Sequence, residues 1–515
     1  MEPHIHNKKE ISQKDVNKVF TKMNDTNKSL VKILGIGKFH GQEKRAMNNV
    51  HMSSKSQLPV INGLHKDHKD GNKKRPVVNG NIGPVSNSSN LVSDALEPFV
   101  DELRETIEKE NTCKSTEELI SHFLKFNDKP NSKDSDEKKK FIASMDVVSL
   151  FPSLKSEQCA DAVRKMIKSS KLELKCHDFK EMGVFLRKNM TTKEIQNQKL
   201  QHFIPSKNKT TKESKSKKSE SNQYDTWSFP TEDPTNQQMK CLWAETLAVA
   251  TKLVMNNHIF MFDGQIYIQE NEGGTGVRLT GILAEVVMIF WTEELSKRLT
   301  KIGVVNELIS RFVDDMTILP TVIPAGWKVV DNKLVFDEDS VETDMTVEDD
   351  ARTMKVIQEI ANDISDEIQV TFDVPSNYAD KKVPILDLKA GLDSNGKIEF
   401  VFYKKPVATK LVTLKSSAHS VKQKMSTLTQ QCFMRLHNTS ENASEITKVT
   451  VLNEFMQELY SSGYSQYDRL TILKGGINTY KKLKRLEQCQ VRPFYRPNSF
   501  QKAERRTQKL KKKNT

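Results

Sequence analysis

The sequence is poor in paired cysteines and in long apolar runs, and each shortage argues against a class of protein. Its six cysteines are scattered and none forms a C-x-x-C pair, which argues against a zinc knuckle or a disulfide framework and favours a reducing compartment. The longest apolar run, GILAEVVMIFW, is short and is interrupted by Glu285. We therefore expect no signal peptide and no membrane span, and a nuclear or cytoplasmic rather than a secreted protein.

Hydrophobic residues are also scarce, at 36% of the 515 residues, while charged residues reach 29%. A chain of this length can hold several domains, but this balance predicts that part of it does not pack. The net charge is +13 and the isoelectric point is about 9.1, with the basic residues gathered in tracts. This charge indicates a polyanionic partner such as nucleic acid, although many solvated surfaces are also rich in lysine.

Three charged segments stand outside the apolar pattern. Residues 206–222 are rich in Lys and Ser and predict a disordered insertion. Residues 337–350 form an acidic run, which predicts a second disordered insertion, because a solvated charge run is commoner than a metal site. The basic tail, residues 491–515, is interpreted as a nuclear-import signal or nucleic-acid tether, or else as a solvated end.

The stretch Leu308–Leu319, LISRFVDDMTIL, places two adjacent acids between short runs of β-forming residues. This pattern predicts a tight hairpin with Asp314 and Asp315 at its tip. Two like charges side by side repel each other, and a divalent cation between them would relieve the repulsion. Because Asp is a common turn residue, an exposed turn without metal is the simpler explanation of this stretch taken alone.

A third acid lies in the apolar run FIASMDVVSL, residues 141–150, which predicts a buried strand that carries Asp146. A buried acid is costly unless it is paired or bound to a cation. A shared metal ion would therefore explain both Asp146 and the pair at 314 and 315, if their strands are neighbours in one sheet. Two Mg²⁺ ions held by these carboxylates, with Mn²⁺ as a possible substitute, would suit phosphoryl transfer.

Residues 58–80, LPVINGLHKDHKDGNKKRPVVNG, predict two strands joined by a basic loop. Lys66 in the loop and Arg75 at the start of the second strand are suited to hold phosphates, Arg bidentately and Lys as a point charge. A solvated basic loop is the alternative interpretation. An amphipathic helix is predicted next, over residues 90–109.

Together these stretches resemble the motifs of reverse transcriptases. FIASMDVVSLFPSL is similar to the first catalytic motif of that class, RFVDD resembles the third, and residues 256–291 resemble the second, a strand ending in Gln, a Gly-containing loop and a helix. LHKDHK with RPVV, and VPILDLKAGLDSNGKIEFVFYKKP with SSAH, resemble stretches of the Penelope-like retroelement reverse transcriptases. The resemblance covers roughly residues 58–480.

The resemblance implies a role for each matching residue. Asp146 and Asp314 would be the main metal ligands, with Asp315 contributing charge or a primer-side contact. The backbone carbonyl of Val147 would complete the coordination of one metal ion. Phe151 falls where reverse transcriptases keep an aromatic residue that clashes with a 2′-hydroxyl, which implies deoxynucleotide substrates.

The same resemblance assigns four residues to the incoming nucleotide. Lys66 and Arg75 match basic positions that would hold the triphosphate. Gln269 and Gly276 fall in the second motif, which contacts the templating base and the nucleotide. For Gln269, an ordinary junction between a strand, a turn and a helix is an equal alternative.

The second motif departs from the family pattern. Glu272 and Thr275 replace a Gly and a Met, and Thr280–Gly281 replaces a Ser-Pro pair. An acid at residue 272 opposes the passage of a polyanion on Coulomb grounds, which puts activity in question. Two alternatives therefore stay open, a decayed or domesticated relative that only binds nucleic acid and a metal-dependent nuclease. A telomerase-like role is also compatible with these motifs.

The predicted fold is α+β, a right-hand polymerase with fingers, a palm built on an antiparallel sheet and a helical thumb. The predicted function is RNA-directed DNA synthesis for a retroelement, in which dNTPs are added to a DNA primer on an RNA template. The oligomeric state is left open. The divisions would be a polar N-terminal arm over 1–55, fingers over 56–140, the palm over 141–415, the thumb over 416–490 and the tail over 491–515.

Overall fold

The computed structural model describes ten stretches of the chain. Lys66, the Lys/Ser-rich insertion and the basic tail lie outside the described residues, and so do the predictions made for them. Contacts divide the chain into two compact units, residues 1–385 and 386–515. The described stretches are 8–35, 57–65, 74–80, 82–107, 112–129, 139–174, 235–330, 333–340, 346–406 and 409–488.

The first unit contains both helices and antiparallel strands. Its helices are α1 (Gln13–Ile33), α2 (Ser86–Ile107), α3 (Thr116–Asn127), α4 (Leu150–Ser153), α5 (Ser156–Ser169), α6 (Asn236–Met255), α7 (Arg278–Lys301) and α8 (Asp349–Asn362). Its strands are β1 (Lys9–Glu10), β2 (Ile61–His65), β3 (Lys74–Val78), β4 (Ala143–Val147), β5 (His258–Phe262), β6 (Gln265–Gln269), β7 (Asn306–Phe312), β8 (Asp315–Pro320), β9 (Trp327–Val330), β10 (Lys333–Phe336), β11 (Val370–Asp373) and β12 (Val383–Ile385).

A four-stranded antiparallel sheet, in the order β11-β4-β8-β7, lies at the centre of the first unit. Side chains alternate between the two faces of a strand. Accordingly, β4 buries Ala143, Met145 and Val147 and exposes Asp146. On β8 the first residue, Asp315, is exposed and the residues after it are buried. The sheet therefore packs one face on the core and presents a polar face at the ends of β4 and β8.

Apolar residues at helical spacing over residues 281–300 predict a helix packed under the sheet, and α7 passes through the core there. Apolar residues surround much of its circumference, and four consecutive ones, Val286 to Ile289, are all buried. A helix with an apolar surface on most sides is buried on most sides. It packs against α2, α5 and β7, and so holds the sheet and the helices in one core.

The sequence predicts the N-terminal segment as a polar, poorly packed arm with one helical pattern near residues 16–34; the helix is present, but it is packed. Residues 13–33 form this helix, α1, in which Val16, Phe20 and Met23 are buried. Ser88 Oγ donates a 2.6 Å hydrogen bond to the buried Asn27 side chain, so polar residues of this helix pack as well. Most lysines of α1 lie on its exposed face. Composition suggested a solvated arm because it averages over both faces of the helix.

The acidic run 337–350 is structured where it is described, against the prediction of disorder. Glu338–Ser340 form a turn of 3-10 helix, and Asp349 begins α8. Asp349 accepts hydrogen bonds from Lys139 at 2.7 Å and from Arg352 at 2.8 Å. The hydrogen bond from Lys139 is the main cause of the lowered pKa of Asp349. Acids at the N-terminal end of a helix interact favourably with its dipole, so this part of the acidic run stabilises α8.

The second unit contains a β-hairpin followed by helices. They are β13 (Leu388–Leu392), β14 (Ile398–Phe402), α9 (Val421–His437), α10 (Glu445–Ser461) and α11 (Gln466–Gln488). Helices α9 and α11 cross closely, because a Cβ on Gly476 of α11 would lie 2.5 Å from Cys432 Sγ of α9. Helical periodicity predicts helices over residues 421–436 and 446–460 with a stop near Ser461, and α9 and α10 match them. The third helix, α11, lies within the predicted helical thumb, but its bounds were not predicted.

The predicted α+β class with antiparallel sheets is confirmed. Contacts place the division of the chain after Ile385, whereas the sequence placed the end of the palm at residue 415. Among the helices of the described stretches, none combines the length and the apolar character needed to cross a membrane.

Candidate active site

The hairpin predicted around Asp314 is present as β7 and β8. Phe312 pairs with Asp315, which leaves Val313 and Asp314 as the two turn residues. On its other side β8 pairs with β4 in a register that sets Asp315 directly opposite Asp146. The expectation that the two acid-bearing strands are neighbours in one sheet is confirmed.

Asp146 and Asp315 form a non-hydrogen-bonded pair of the antiparallel ladder. The N–H of Val147 donates to the carbonyl oxygen of Asp314 at 3.4 Å, so positions 147 and 314 are hydrogen-bonded and positions 146 and 315 are not. In pairs of this kind the Cα atoms are about 4.5 Å apart and the side chains approach closely. Two carboxylates in this position destabilise a sheet, and a cation between them would remove the penalty.

The turn that carries Asp314 has a strained backbone. Val313 has φ of 57°, in the left-handed region, which is a clear outlier for a β-branched residue. Arg311 is only 2% exposed, and its Nη1 donates to the carbonyl oxygen of Val313 at 3.1 Å. The buried guanidinium therefore supports the turn conformation that sets Asp314 beside Asp315.

Helix α3 covers one side of the polar face. His122 Nδ1 of α3 lies 2.8 Å from Ser310 Oγ on β7. Burial raises the pKa of the Cys113 thiol, which lies just before this helix. Asp146 and Asp315 are exposed, so the accessible part of the face is centred on the aspartate pair.

The donor set fits a divalent ion that a substrate helps to hold. Within the described stretches, no group of three or more His, Cys, Asp or Glu residues could hold a metal ion by itself. Mg²⁺ is usually bound through one or two carboxylates together with water and substrate phosphates. Asp146 and Asp315 supply two carboxylates, and Asp314 lies half-buried in the adjoining turn. The residues present therefore fit a Mg²⁺ site that phosphate completes.

Phe151 lies in the connection that follows Asp146. The chain turns at Ser149, which has φ of 54°, into the short helix α4. Phe151 is half-buried against the core of the first unit. A Cβ on Gly273 would lie 2.4 Å from the carbonyl oxygen of Phe151. The loop of the second motif, residues 270–277, is therefore packed directly on the backbone that carries Phe151.

Gly276 lies where this loop crosses the predicted basic hairpin. Its φ is 96°, and a Cβ there would lie 1.9 Å from the carbonyl oxygen of Val78 at the end of β3. A Cβ on Gly80 would lie 2.0 Å from the carbonyl oxygen of Gly276. The N–H of Val78 also donates to the carbonyl oxygen of Thr275 at 3.2 Å. Gly276 thus permits a close crossing of two backbones, and its contact with a nucleotide stays a prediction.

Gln269, the last residue of β6, is buried and uses its amide inside the loop. Its Nε2 lies 3.3 Å from Glu272 Oε2 and 3.4 Å from the carbonyl oxygen of Gly273. Its Oε1 lies 3.4 Å from His258 Nδ1. Burial lowers the pKa of His258 to about 4, so the ring is neutral at pH 7. These contacts correspond to the strand-turn-helix junction that was the alternative for Gln269, and base contact stays a prediction.

Glu272, the acid that departs from the family pattern, is paired. Lys8 makes an ion pair with it, and Lys155 Nζ lies 3.9 Å from its other oxygen. The side chains of Lys8 and Glu272 are 12% and 24% exposed. The carboxylate that opposed a polyanion on sequence grounds therefore has its charge offset within the fold.

The basic hairpin is present as β2 and β3, with Leu64 opposite Arg75. Its base is joined to β5, since the N–H of Met261 donates to the carbonyl oxygen of Pro59 at 2.8 Å. Only the backbone of Arg75 is described, and Lys66 lies outside the described residues. Their contact with a triphosphate stays a prediction.

The structure thus joins Asp146, Asp314 and Asp315 at one sheet end and adds residues that the sequence analysis did not select. Arg311 could have been found, because a basic residue within an apolar strand beside two acids is unusual. The glycines at 273, 274 and 276 also indicate a close backbone approach. Nothing in the local sequence marks Lys8, because its partner is 264 residues away.

No protein-family model matches this sequence, and no curated protein sequence matches it. Solved structures show a distant structural similarity to it. A telomerase from Candida albicans, in complex with a TWJ fragment of telomeric RNA, has 10% identity and a TM-score of 0.43 over 83% of this chain. Apo telomerase from Candida tropicalis has 11% identity and a TM-score of 0.40 over 84% of it. The Sicinivirus 3Dpol RNA-dependent RNA polymerase has 12% identity and a TM-score of 0.35 over 78% of it.

The similarity covers 61% of the Candida albicans chain and 64% of each of the other two. This chain therefore spans less than two thirds of the length of those solved chains. The resemblance to Penelope-like reverse transcriptases rests on the sequence motifs alone.

Proposed function

We propose that the protein is a template-directed polymerase of the reverse-transcriptase class, which adds deoxynucleotides to the 3′ end of a primer on an RNA template. The observation that supports it most directly is the register of the central sheet, which sets Asp146 opposite Asp315 beside the turn of Asp314. Directly opposed like charges are unfavourable in a sheet. A divalent ion held between them would offset this repulsion.

The three aspartates would act together on phosphate. The resemblance implies Asp146 and Asp314 as the main ligands, with Asp315 adding charge. The register instead favours Asp146 and Asp315 as the pair that would hold the ion from neighbouring strands, and Asp314 would add charge from the turn. When bound, the metal would help to activate the primer 3′ oxygen and neutralise charge on the transferred phosphoryl group. The protein supplies no nucleophile, so its part is to orient the primer end and the nucleotide in line.

Phe151 and the basic hairpin would select and hold the substrate. Phe151 would contact the sugar and disfavour a 2′-hydroxyl, which gives preference for deoxynucleotides. Lys66 and Arg75 would bind the triphosphate. The contact of Gly276 with Val78 supports this arrangement, because it joins the hairpin to the loop that packs on the backbone of Phe151.

A basic stripe on α11 supports a polyanionic partner for the second unit. Lys474, Lys481 and Arg485 are exposed, and their spacing places them on one face of the helix. Thr471 and Thr479 of the same helix line a groove shared with α9. Lysine and arginine on such a face would bind phosphates in a way that weakens as salt is added.

Primer extension tests the proposal. Wild type would be given poly(rA)/oligo(dT), dTTP and Mg²⁺ or Mn²⁺, beside a variant with Asp314→Ala and Asp315→Ala. Asp339→Ala, an exposed acid away from the sheet, is the matched control. We expect extension by wild type and by the control and none by the double variant.

Two results would overturn the proposal. Folded wild type that binds the duplex without extending it would favour a relative that only binds nucleic acid. Extension that persists in the double variant would show that the metal site is elsewhere. A Phe151→Val variant that still rejects ribonucleotides as wild type does would remove the role given to Phe151.

A further inference from the structure

The N-terminal strand β1 lies at the edge of the sheet that carries the second motif. Lys9 pairs with Ile268 of β6. Just beyond β1, the N–H of Ile11 donates to the carbonyl oxygen of Ile266 at 2.9 Å. This pairing fixes the backbone of residues 8–11 next to the strand that leads into the loop 270–277.

Helix α1 anchors this strand from the other side. Val16 and Phe20 of α1 pack with Ile259 and Ile268 in one apolar cluster. All four side chains are buried, so removing the segment would expose apolar surface. The position of Lys8 is therefore determined by packing and strand pairing as well as by its own charge.

Lys8 is the close partner of Glu272. Both Lys8 Nζ and Gln269 Nε2 contact Glu272 Oε2, the second at 3.3 Å. Lys155 Nζ lies 3.9 Å from Glu272 Oε1 and 4.0 Å from Glu367 Oε2. Lys155 is thus shared between two acids, and most of the charge of Glu272 is offset by Lys8.

We propose that Lys8 is a charge-neutralising residue of the candidate active site, which offsets Glu272 so that a polyanionic nucleotide can use the second-motif loop. The inference rests on the proposed function. Glu272 is next to Gly273, which packs on the backbone of Phe151. An uncompensated carboxylate there would repel a triphosphate, which carries several negative charges. Lys8 acts through Glu272, so it is a positioning residue.

The first experiment compares Lys8→Met with Lys9→Met. Both changes remove one positive charge from β1 or its edge, but successive side chains of a strand point to opposite faces, and the ion pair to Glu272 comes from Lys8. We expect Lys8→Met to raise the KM for dTTP roughly three- to tenfold with little change in kcat, and the rise to shrink as salt is added. Lys9→Met should stay within about twofold of wild type. Equal KM values for the two variants would overturn the inference.

The second experiment separates charge from structure. Glu272→Gln removes the acid and leaves Lys8 in place, so we expect no rise in KM. The double variant Lys8→Met with Glu272→Gln should return to a KM near that of wild type. A pair that only stabilised the fold would make Glu272→Gln as harmful as Lys8→Met, and that result would overturn the inference.

Equilibrium binding of dTTP with Mg²⁺ distinguishes a failure of this inference from a failure of the proposed function. Calorimetric titration of wild type, Lys8→Met, Glu272→Gln and the double variant should give dissociation constants in the same order as the KM values. Binding with that order but without extension would remove the polymerase activity and keep the role of Lys8. Extension by wild type, with the same dissociation constant for Lys8→Met as for wild type, would keep the polymerase activity and remove the role of Lys8. Absence of both binding and extension would remove both.

Discussion

Replacing Gly276 with alanine should loosen the junction between the β2–β3 hairpin and the second-motif loop. The new Cβ would lie 1.9 Å from the carbonyl oxygen of Val78, at a residue whose φ is 96°. Rotation of a side chain cannot relieve this overlap, because the contact is with backbone. Gly80 approaches the carbonyl oxygen of Gly276 just as closely, at 2.0 Å from a built Cβ. Either the end of the hairpin or the loop must move.

The loss of stability has two sources. A left-handed conformation costs an L residue about 1–2 kcal/mol, and displacing well-packed neighbours costs about 1–3 kcal/mol. We therefore expect the free energy of unfolding to fall by about 3 kcal/mol, a large effect for one methyl group. Gly281→Ala is the matched control, because a Cβ there meets nothing within 4 Å and the residue lies in α7. In a helix, alanine in place of glycine should raise stability by about 0.5–1 kcal/mol.

Urea unfolding, followed by circular dichroism and by tryptophan fluorescence, to which buried Trp291 contributes, measures both variants against wild type. The midpoints should move in opposite directions, downwards for Gly276→Ala and slightly upwards for Gly281→Ala. A Gly276→Ala variant that unfolds at the wild-type urea concentration would refute the close crossing of the two backbones.

Three further predictions concern other parts of the molecule. Asp146→Asn should raise the stability of the metal-free protein by about 0.2–1 kcal/mol, because it removes the like charge opposite Asp315. It should also abolish the rise in melting temperature that we expect Mg²⁺ to give wild type; a lower melting temperature than wild type in chelator would contradict this. Burial lowers the pKa of His258 from 6.5 to about 4. Between these pH values the unfolded chain binds a proton that the folded chain does not. The free energy of unfolding should therefore fall as pH drops from about 6.5 to about 4, by at most about 3 kcal/mol. His258→Gln should flatten that part of the profile of urea midpoint against pH, and an unchanged slope would exclude His258 as its source. In the second unit, Gly476→Ala should cost about 1–3 kcal/mol by overpacking, because its Cβ would lie 2.5 Å from Cys432 Sγ and 2.6 Å from Cys432 Cβ. Cys432→Ala removes Sγ but keeps Cβ, so it should restore only part of the loss; additive melting shifts in the double variant would speak against this contact.

Local pattern was enough to predict several elements of the site. The alternation of β-forming residues around two acids predicted the hairpin of β7 and β8, whose two-residue turn is a local structure. Helical periodicity predicted α9 and α10 to within one residue at their predicted ends. These elements depend on side chains a few positions apart, and the sequence shows such spacings directly.

Composition was misleading where the residues on one face of a helix determine whether it packs. The Lys-rich segment 13–33 and the acidic run 337–350 were both predicted to be solvated, yet α1 is packed and Asp349 begins a helix. A few apolar residues on one face bury a helix, whatever the polarity of the other face. An average over the segment cannot separate the two faces.

The sequence by itself determined which chemical groups are available, three aspartates, an aromatic residue after the first of them, a glycine-rich loop and a basic hairpin. Only the tertiary structure decided which of them meet. A shift of one residue in the pairing of β4 with β8 would turn one aspartate towards the core, and that register is set by packing of the whole sheet. Lys8 reaches Glu272 only because α1 packs and β1 pairs with β6. Such contacts join residues that are far apart along the chain, so their partners depend on the packing of the entire unit and cannot be read from local sequence.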